Sequence, residues 1–227
     1  GLSVLELGSG PGFITGQLLE LLPTSRMTCL EVDPALLRQA EQYLGDEGRR
    51  RVPFVEASVM ATGLDENQFD IAYARFLFQH LADPIGAARE IRRVLKPGGK
   101  LIVLDIDDEL FGIFHPTIPE LAPIVDAFGR AQAARGGNRH IGRNLWRILQ
   151  TAGFHNLDLE IIASHSDAIG AEPFLKQLDP DRLTSLVTSG LLAEQTLEQY
   201  RESHARFGDS ADAYALWVSM LVCGAKP

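Results

Sequence analysis

This sequence predicts a doubly wound α/β fold built on a mainly parallel seven-stranded sheet. Three observations carry the prediction: short apolar runs recur along the chain, amphipathic segments separate them, and a glycine-rich turn joins the first run to the first amphipathic segment. In order, Val4–Leu7, Met27–Val32, Val52–Val55, Phe69–Ala74 and Lys100–Leu104 read as buried parallel strands of four to six residues. Behind the first, Ile14, Leu18, Leu21 and Leu22 share a helical face that stops at Pro23. Behind the second, Leu36, Ala40, Tyr43 and Leu44 form a helix ending at Gly45, with Asp33 as N-cap and Pro34 at the first helical position. Asp83-Pro84 repeats that start signal before Ile85, Ala88, Ile91, Val94 and Leu95, and Lys96-Pro97-Gly98-Gly99 closes the helix and turns into the fifth strand. Strand and helix alternate, so the crossovers are right-handed.

The second half departs from that alternation. Between Asp107 and His140 lies one helix-like segment (Leu121, Ile124, Val125, Phe128), then the glycine-rich ARGGNRHIGR. A helix through Ile141, Leu145, Ile148 and Leu149 ends at Gly153 and leads to a sixth strand at Leu157–Ala163. A helical region from about Pro173 to Phe207 follows, and the run Tyr214–Cys223 reads as a seventh strand pairing with the sixth. At 227 residues the chain suits one domain, residues 1–227, with inserts at 107–140 and 166–208. Gly1 leads straight into a strand without an initiator Met, so the sequence reads as part of a longer protein.

Composition narrows the function. Hydrophobic residues at 45% and charged residues at 22% are those of a globular protein. No apolar stretch approaches the roughly 20 residues that span a bilayer, and a cytoplasmic location is expected. Lys and Arg total 21 against 30 Asp and Glu, and the resulting net charge of −9 repels polyphosphate, which argues against nucleic acid as a partner. Cys29 and Cys223 sit in strand-like runs without metal-ligand spacing and are expected to be reduced and buried. The acidic group Asp105, Asp107, Asp108 and Glu109 fits no calcium loop and reads as a solvated strand end, and no metal is implied.

The glycine turn is the most informative stretch. Gly8, Gly10 and Gly12 give G-x-G-x-G, not the dinucleotide G-x-G-x-x-G, and Phe13 stands where the third dinucleotide glycine would fall. Glu6 enters the turn with a carboxylate, which repels a diphosphate and suits a ligand carrying an amine and a sulfonium. ELGSGPG at Glu6–Gly12 resembles the first motif of class I S-adenosylmethionine-dependent methyltransferases of the small-molecule type, those of quinone biosynthesis and natural products. LEVDPALLRQA, FVEASVMATGLDENQFD, HLADP and RRVLKPGGKLIV follow in that family's order, and the likeness covers roughly residues 2 to 165. The resemblance implies a Rossmann-like sheet with an antiparallel last strand. It also implies S-adenosylmethionine as cofactor, held by Glu6, Gly8, Ser9, Gly10 and Gly12, with Glu31 and Val32 at the ribose. Ser58 and Val59 would stand at the adenine, where the family usually has Asp in place of Ser58. Arg75 and His80 would reach the methionine part.

On the same resemblance, both inserts emerge over the cofactor end of the sheet and form a lid and substrate pocket. His115, His140 and His165 lie in or beside them and have the pKa range of a general base. Arg139 and Arg143 can fork onto a substrate carboxylate or pair with nearby acids. The stretch ARFLFQH after the fourth strand lacks the signature of enzymes that methylate nucleic-acid amino groups, which leaves a small molecule as acceptor. Two other readings stay open: a nicotinamide-dependent reductase of the same fold class, and a binding module that keeps the cofactor site without turnover.

Overall fold

All seven expected strands form, and their order brings the glycine turn, the end of the fourth strand and both inserts to one end of the sheet. In the computed structural model, which describes residues 1–227, these strands are β1 (Ser3–Leu7), β2 (Arg26–Glu31), β3 (Phe54–Glu56), β4 (Phe69–Arg75) and β5 (Leu95–Asp105), then β7 (His155–His165) and β8 (Tyr214–Ala225), with a three-residue β6 (Ile113–His115) between. The order is β3-β2-β1-β4-β5-β8, with β7 on the far edge of β8. The first five strands pair in parallel and β8 is antiparallel to β5, β6 and β7. The expected pairing of the last two strands is present, with the last one inserted between β5 and β7. The strand missed by periodicity, β6, is too short to show an alternation and exists only because β8 offers it a partner at Ala215 and its neighbours.

The helices are α1 (Phe13–Leu21), α2 (Pro34–Arg51), α3 (Pro84–Val94), α4 (Leu121–Ala133), α5 (Leu145–Thr151), α6 (Ser166–Ile169), α7 (Glu172–Gln177), α8 (Thr184–Thr188) and α9 (Glu194–Asp209). Asp33 and Asp83 cap as expected, accepting from Ala35 N at 2.7 Å and Gly86 N at 2.8 Å. Two boundaries differ from expectation. Gly45 kinks α2 at φ 64° without ending it, and helix resumes to Arg51. The Lys96–Gly99 turn does not cap α3: Leu95 already pairs with Phe69, and the turn is a bulge inside β5 with Gly98 at φ 77°.

Side-chain alternation divides the core. Leu5, Leu7, Ala72, Ala74, Leu101 and Val103 face α3 and α5 and are fully buried. On the opposite face Met27 and Cys29 pack with Leu19 and Val52 of the α1–α2 side, but farther along the sheet Ile71, Tyr73, Ile102, Leu104 and Leu221 are only half-buried. A second buried cluster lies outside the sheet. Ile118, Leu121 and Ile124 of the first insert pack there against Phe174, Tyr200 and Phe207 of the second, so the two inserts make one roof.

Candidate active site

The glycine turn is stapled to the end of β2. Gly8 N and Ser9 N donate to Leu30 O, and Glu31 accepts from Gly10 N (3.0 Å), Val32 N (2.8 Å) and Asp33 N (3.1 Å). The three glycines have different work. A Cβ on Gly12 would stand 2.9 Å from Ala40 Cβ, so this glycine lets α1 meet α2 and serves packing. A Cβ on Gly8 would press on Leu77, in the loop after β4. Only at Gly10, φ +55°, would a Cβ meet nothing within 4 Å. Gly12 is thus required for helix packing, whatever its backbone offers a ligand. Beside the open cradle at Gly10, the Ser9 hydroxyl oxygen is buried without a hydrogen-bond partner. A ligand with a hydroxyl or carboxylate edge fits both features.

Glu6 sits inside the β1–α1 junction, 4% exposed, with Oε2 accepting from Thr15 Oγ1 at 2.6 Å and from Cys29 Sγ at 3.5 Å. Burial raises its pKa. Its role is to brace the turn from beneath, with Oε1 left free of protein partners. The Cys29 thiol beside it is likewise pushed up by burial and by the Glu6 charge, which keeps it a thiol. Cys223, also expected buried, is only partly so. Ser58 Oγ accepts from Met60 N at 3.2 Å, and the Val59 side chain belongs to the main core, leaving its backbone for a ligand. Val32 is exposed beside Glu31, and the Phe13 ring turns aside against Tyr43 at 4.7 Å.

The loop after β4 links turn and roof. Arg75 is exposed, its guanidinium 4.3 Å over the Phe76 ring. His80 is held by the first insert, Gln132 Nε2 standing 2.6 Å from its Nδ1. Desolvation, then Arg139 and Arg135, lower its pKa, which favours a neutral ring whose Nδ1 accepts from Gln132 and pins α4. Gln79, which sequence reasoning passed over, is the hub. Its N donates to Asp105 Oδ2 (3.1 Å), and its O accepts from Asn138 N (2.8 Å) and Gln132 Nε2 (3.0 Å). The available signal was a polar residue inside the apolar run after β4.

Of the acidic group only Glu109 is solvated; Asp105, Asp107 and Asp108 are buried. Asp105 and Asp107 are 0% and 2% exposed. Burial raises the Asp105 pKa to about 6 against its backbone hydrogen bonds. Asp107 is claimed by Arg143 through Nε and Nη2, and Nη2 also reaches Glu109 at 2.8 Å, so that edge of the guanidinium is spent on the protein's own acids. Arg139 grips Asp108 through Nε and Nη2 but keeps Nη1 with only a 3.4 Å contact to Gln79.

Two cavities lie under and beside the roof. One, of about 440 Å³, opens where β4, β5, β7 and β8 end and is walled by Arg75, Gln79, Leu104, Ser164, Trp217 and Ser219. The Trp217 indole N–H has no partner. The other, of about 750 Å³, runs outside along α4. None of the three expected histidine bases lines the strand-end cavity. His115 is exposed on β6, His165 is half-buried 6.2 Å from the Tyr214 ring, and His140 lines the outer cleft with Nδ1 3.3 Å from Asp107. They fail to converge because each sits on a different roof segment.

A parallel sheet in this order with a final antiparallel strand, a glycine turn at the first strand end and a carboxylate at the second define a methyltransferase that uses S-adenosylmethionine. The comparisons agree. A family model described as a methyltransferase domain matches residues 5–103. The ubiquinone/menaquinone biosynthesis C-methyltransferase UbiE of Shewanella sp. (strain W3-18-1) is 33% identical over 171 residues, 70% of this chain and 68% of that protein. The malonyl-[acyl-carrier protein] O-methyltransferase of Paenibacillus sp. (strain JDR-2) is 28% identical over 157 residues, 68% of this chain and 55% of that protein. In fold, the structure is similar to Haemonchus contortus phosphoethanolamine N-methyltransferase 2 bound to S-adenosylhomocysteine, with a TM-score of 0.62 at 17% identity over 100% of this chain and 49% of that one. The chain belongs to the S-adenosylmethionine-dependent methyltransferase family. No helix is long and apolar enough to cross a membrane.

Proposed function

We propose that this protein transfers a methyl group to a small molecule that brings its own nucleophile. The observation that carries this reading is the strand-end cavity, which adjoins the loop packed on the glycine turn and holds no free base: its one carboxylate, Asp107, is tied to Arg143, and its other charged groups are arginines. S-adenosylmethionine, when bound at Gly10, Ser9 and Glu31, supplies an electrophilic methyl group. In-line displacement then requires alignment and exclusion of water more than proton removal. Phe76 and Trp217 offer flat apolar walls, while Gln79, Ser164, Ser219 and the Trp217 N–H offer polar groups to orient an oxyanion. A phenolate, nucleophilic at oxygen and at ring carbon, matches these walls. That the relatives are named for methylation at carbon, oxygen and nitrogen is consistent with a site whose protein groups do not dictate the reacting atom.

The test is turnover with labelled S-adenosylmethionine on 4-methylphenol, benzoate, benzyl alcohol and benzylamine. Phenol and carboxylate are expected to accept methyl, with a rate that climbs as the acceptor ionises and shifts when a ring substituent shifts the acceptor pKa. An alcohol methylated as well as the phenol, or a pH limb that ignores the acceptor, would mean that the protein supplies a base after all.

A further inference from the structure

The 440 Å³ cavity and the 750 Å³ cleft share two wall residues, Phe111 and Arg139. Three rings run from one space to the other. Trp217 lines the strand-end cavity, Phe114 lines the outer cleft, and Phe111 stands between them with centroids 6.3 Å and 6.0 Å away. These tilted, widely spaced rings do not lock Phe111 in place, and Phe111 is itself only half-buried. The outer cleft beyond it is floored by one face of α4. Leu121, Val125 and Gly129 recur there at helical spacing, and a Cβ on Gly129 would meet nothing within 4 Å. The cations along the cleft are already matched, Arg139 by Asp108 and Arg130 by Asp126 at 3.0 Å.

From this continuity we infer that the outer cleft is a second subsite for the same methyl acceptor, taking an unbranched apolar arm while the nucleophilic head lies in the strand-end cavity. The inference rests on the acceptor reading of that cavity. Apolar walls with paired charges give an alkyl arm dispersion and desolvation and give a charged arm nothing. Phe111 is the partition: rotating its ring makes one L-shaped chamber of two. The vacant space at Gly129 sets the bore of the outer limb.

Calorimetry with 4-methylphenol, 4-pentylphenol and 4-nonylphenol, each with and without saturating S-adenosylhomocysteine, tests this directly. In the unaltered protein the nonyl compound is expected to bind about 30-fold or more tighter than the methyl compound, because each buried methylene contributes. Gly129→Phe fills the cleft at a helical position where a Cβ meets nothing within 4 Å and where Phe has a higher helix propensity than Gly, so the variant is expected to fold. It is expected to bring the long-chain advantage down to about threefold, while 4-methylphenol and S-adenosylhomocysteine bind as before. Gly129→Ala keeps the full advantage. A series flat in chain length, or an advantage that survives Gly129→Phe, overturns the subsite. Failure of S-adenosylhomocysteine to bind strikes the cofactor reading instead and is read separately from the chain-length series.

Discussion

At the scale of single residues, Glu31 braces the glycine turn and is expected to hold the ribose with the same carboxylate. Its two oxygens already take three backbone N–H groups from the turn and the β2 end, and a carboxylate has about four acceptor directions, so a ribose hydroxyl must use what remains or share. Glu31→Gln keeps the shape but turns half of the group into a donor facing donors. Affinity for S-adenosylhomocysteine is expected to fall about tenfold, with a lower melting temperature as the turn loosens. Unchanged affinity in calorimetry would make Glu31 a brace alone. Glu31 was legible in the sequence because two of its partners, Val32 N and Asp33 N, follow it directly and the third, Gly10 N, belongs to the glycine motif itself. The histidines were not: whether His115, His140 or His165 meets a cavity depends on how a roof of separate segments closes, which no local spacing encodes. Gln79 was hidden for the same reason, since its five partners, Phe76, Asp105, Gln132, Asn138 and Arg139, come from the loop after β4, from β5 and from the first insert.

Among elements, β1 to β5 and their helices were readable because each strand is a short apolar run with at least one face buried or half-buried and because α2 and α3 begin at their own caps, Asp33 and Asp83. The insert helices α6 to α8 are short; α7 and α8 are held through Phe174 and Leu186 in the cluster they share with Tyr200, and α6 through Ser166 Oγ, which accepts from Ala215 N at 3.0 Å. A seam joins this roof to the sheet end, where Gln132 meets His80 and the Gln79 carbonyl and Asn138 N donates to that same carbonyl, while Arg139 and Asp108 pair within the first insert. An acceptor must pass a site that then excludes water, and the roof is the part with the fewest ties to the sheet. Hydrogen exchange is expected to show slower exchange across 107–140 and 166–208 when S-adenosylhomocysteine and 4-methylphenol are both present, with little change in β1, β4 and the Lys96–Gly99 bulge. Protection confined to the glycine turn would mark the inserts as fixed packing.

For the molecule as a whole, buried acids set the pH response. The Asp105 pKa, raised to about 6 from 3.8, means that the native state holds a proton that the unfolded chain has released. Between about pH 4 and pH 6 its contribution to stability therefore falls as pH rises, by at most roughly 3 kcal/mol. Glu90, lowered to about 2 by Arg93 and Thr62, acts in a lower window: its contribution is complete above about 4.5 and is lost as pH falls through 2. Urea midpoints are accordingly expected to be higher at pH 5 than at pH 7, and Asp105→Asn to flatten that difference. A midpoint that climbs from pH 5 to pH 7 would show that Asp105 is not the dominant buried acid. The half-open sheet face around Ile71, Tyr73, Ile102 and Leu221 has a consequence of another kind. Two such faces attract at contact, and only the net charge of −9 keeps copies apart at a distance. That repulsion reaches about 8 Å in physiological salt and about 3 Å at 1 M. Contact between copies through this face is thus expected to depend on ionic strength, because concentrated salt removes the barrier while strengthening apolar adhesion.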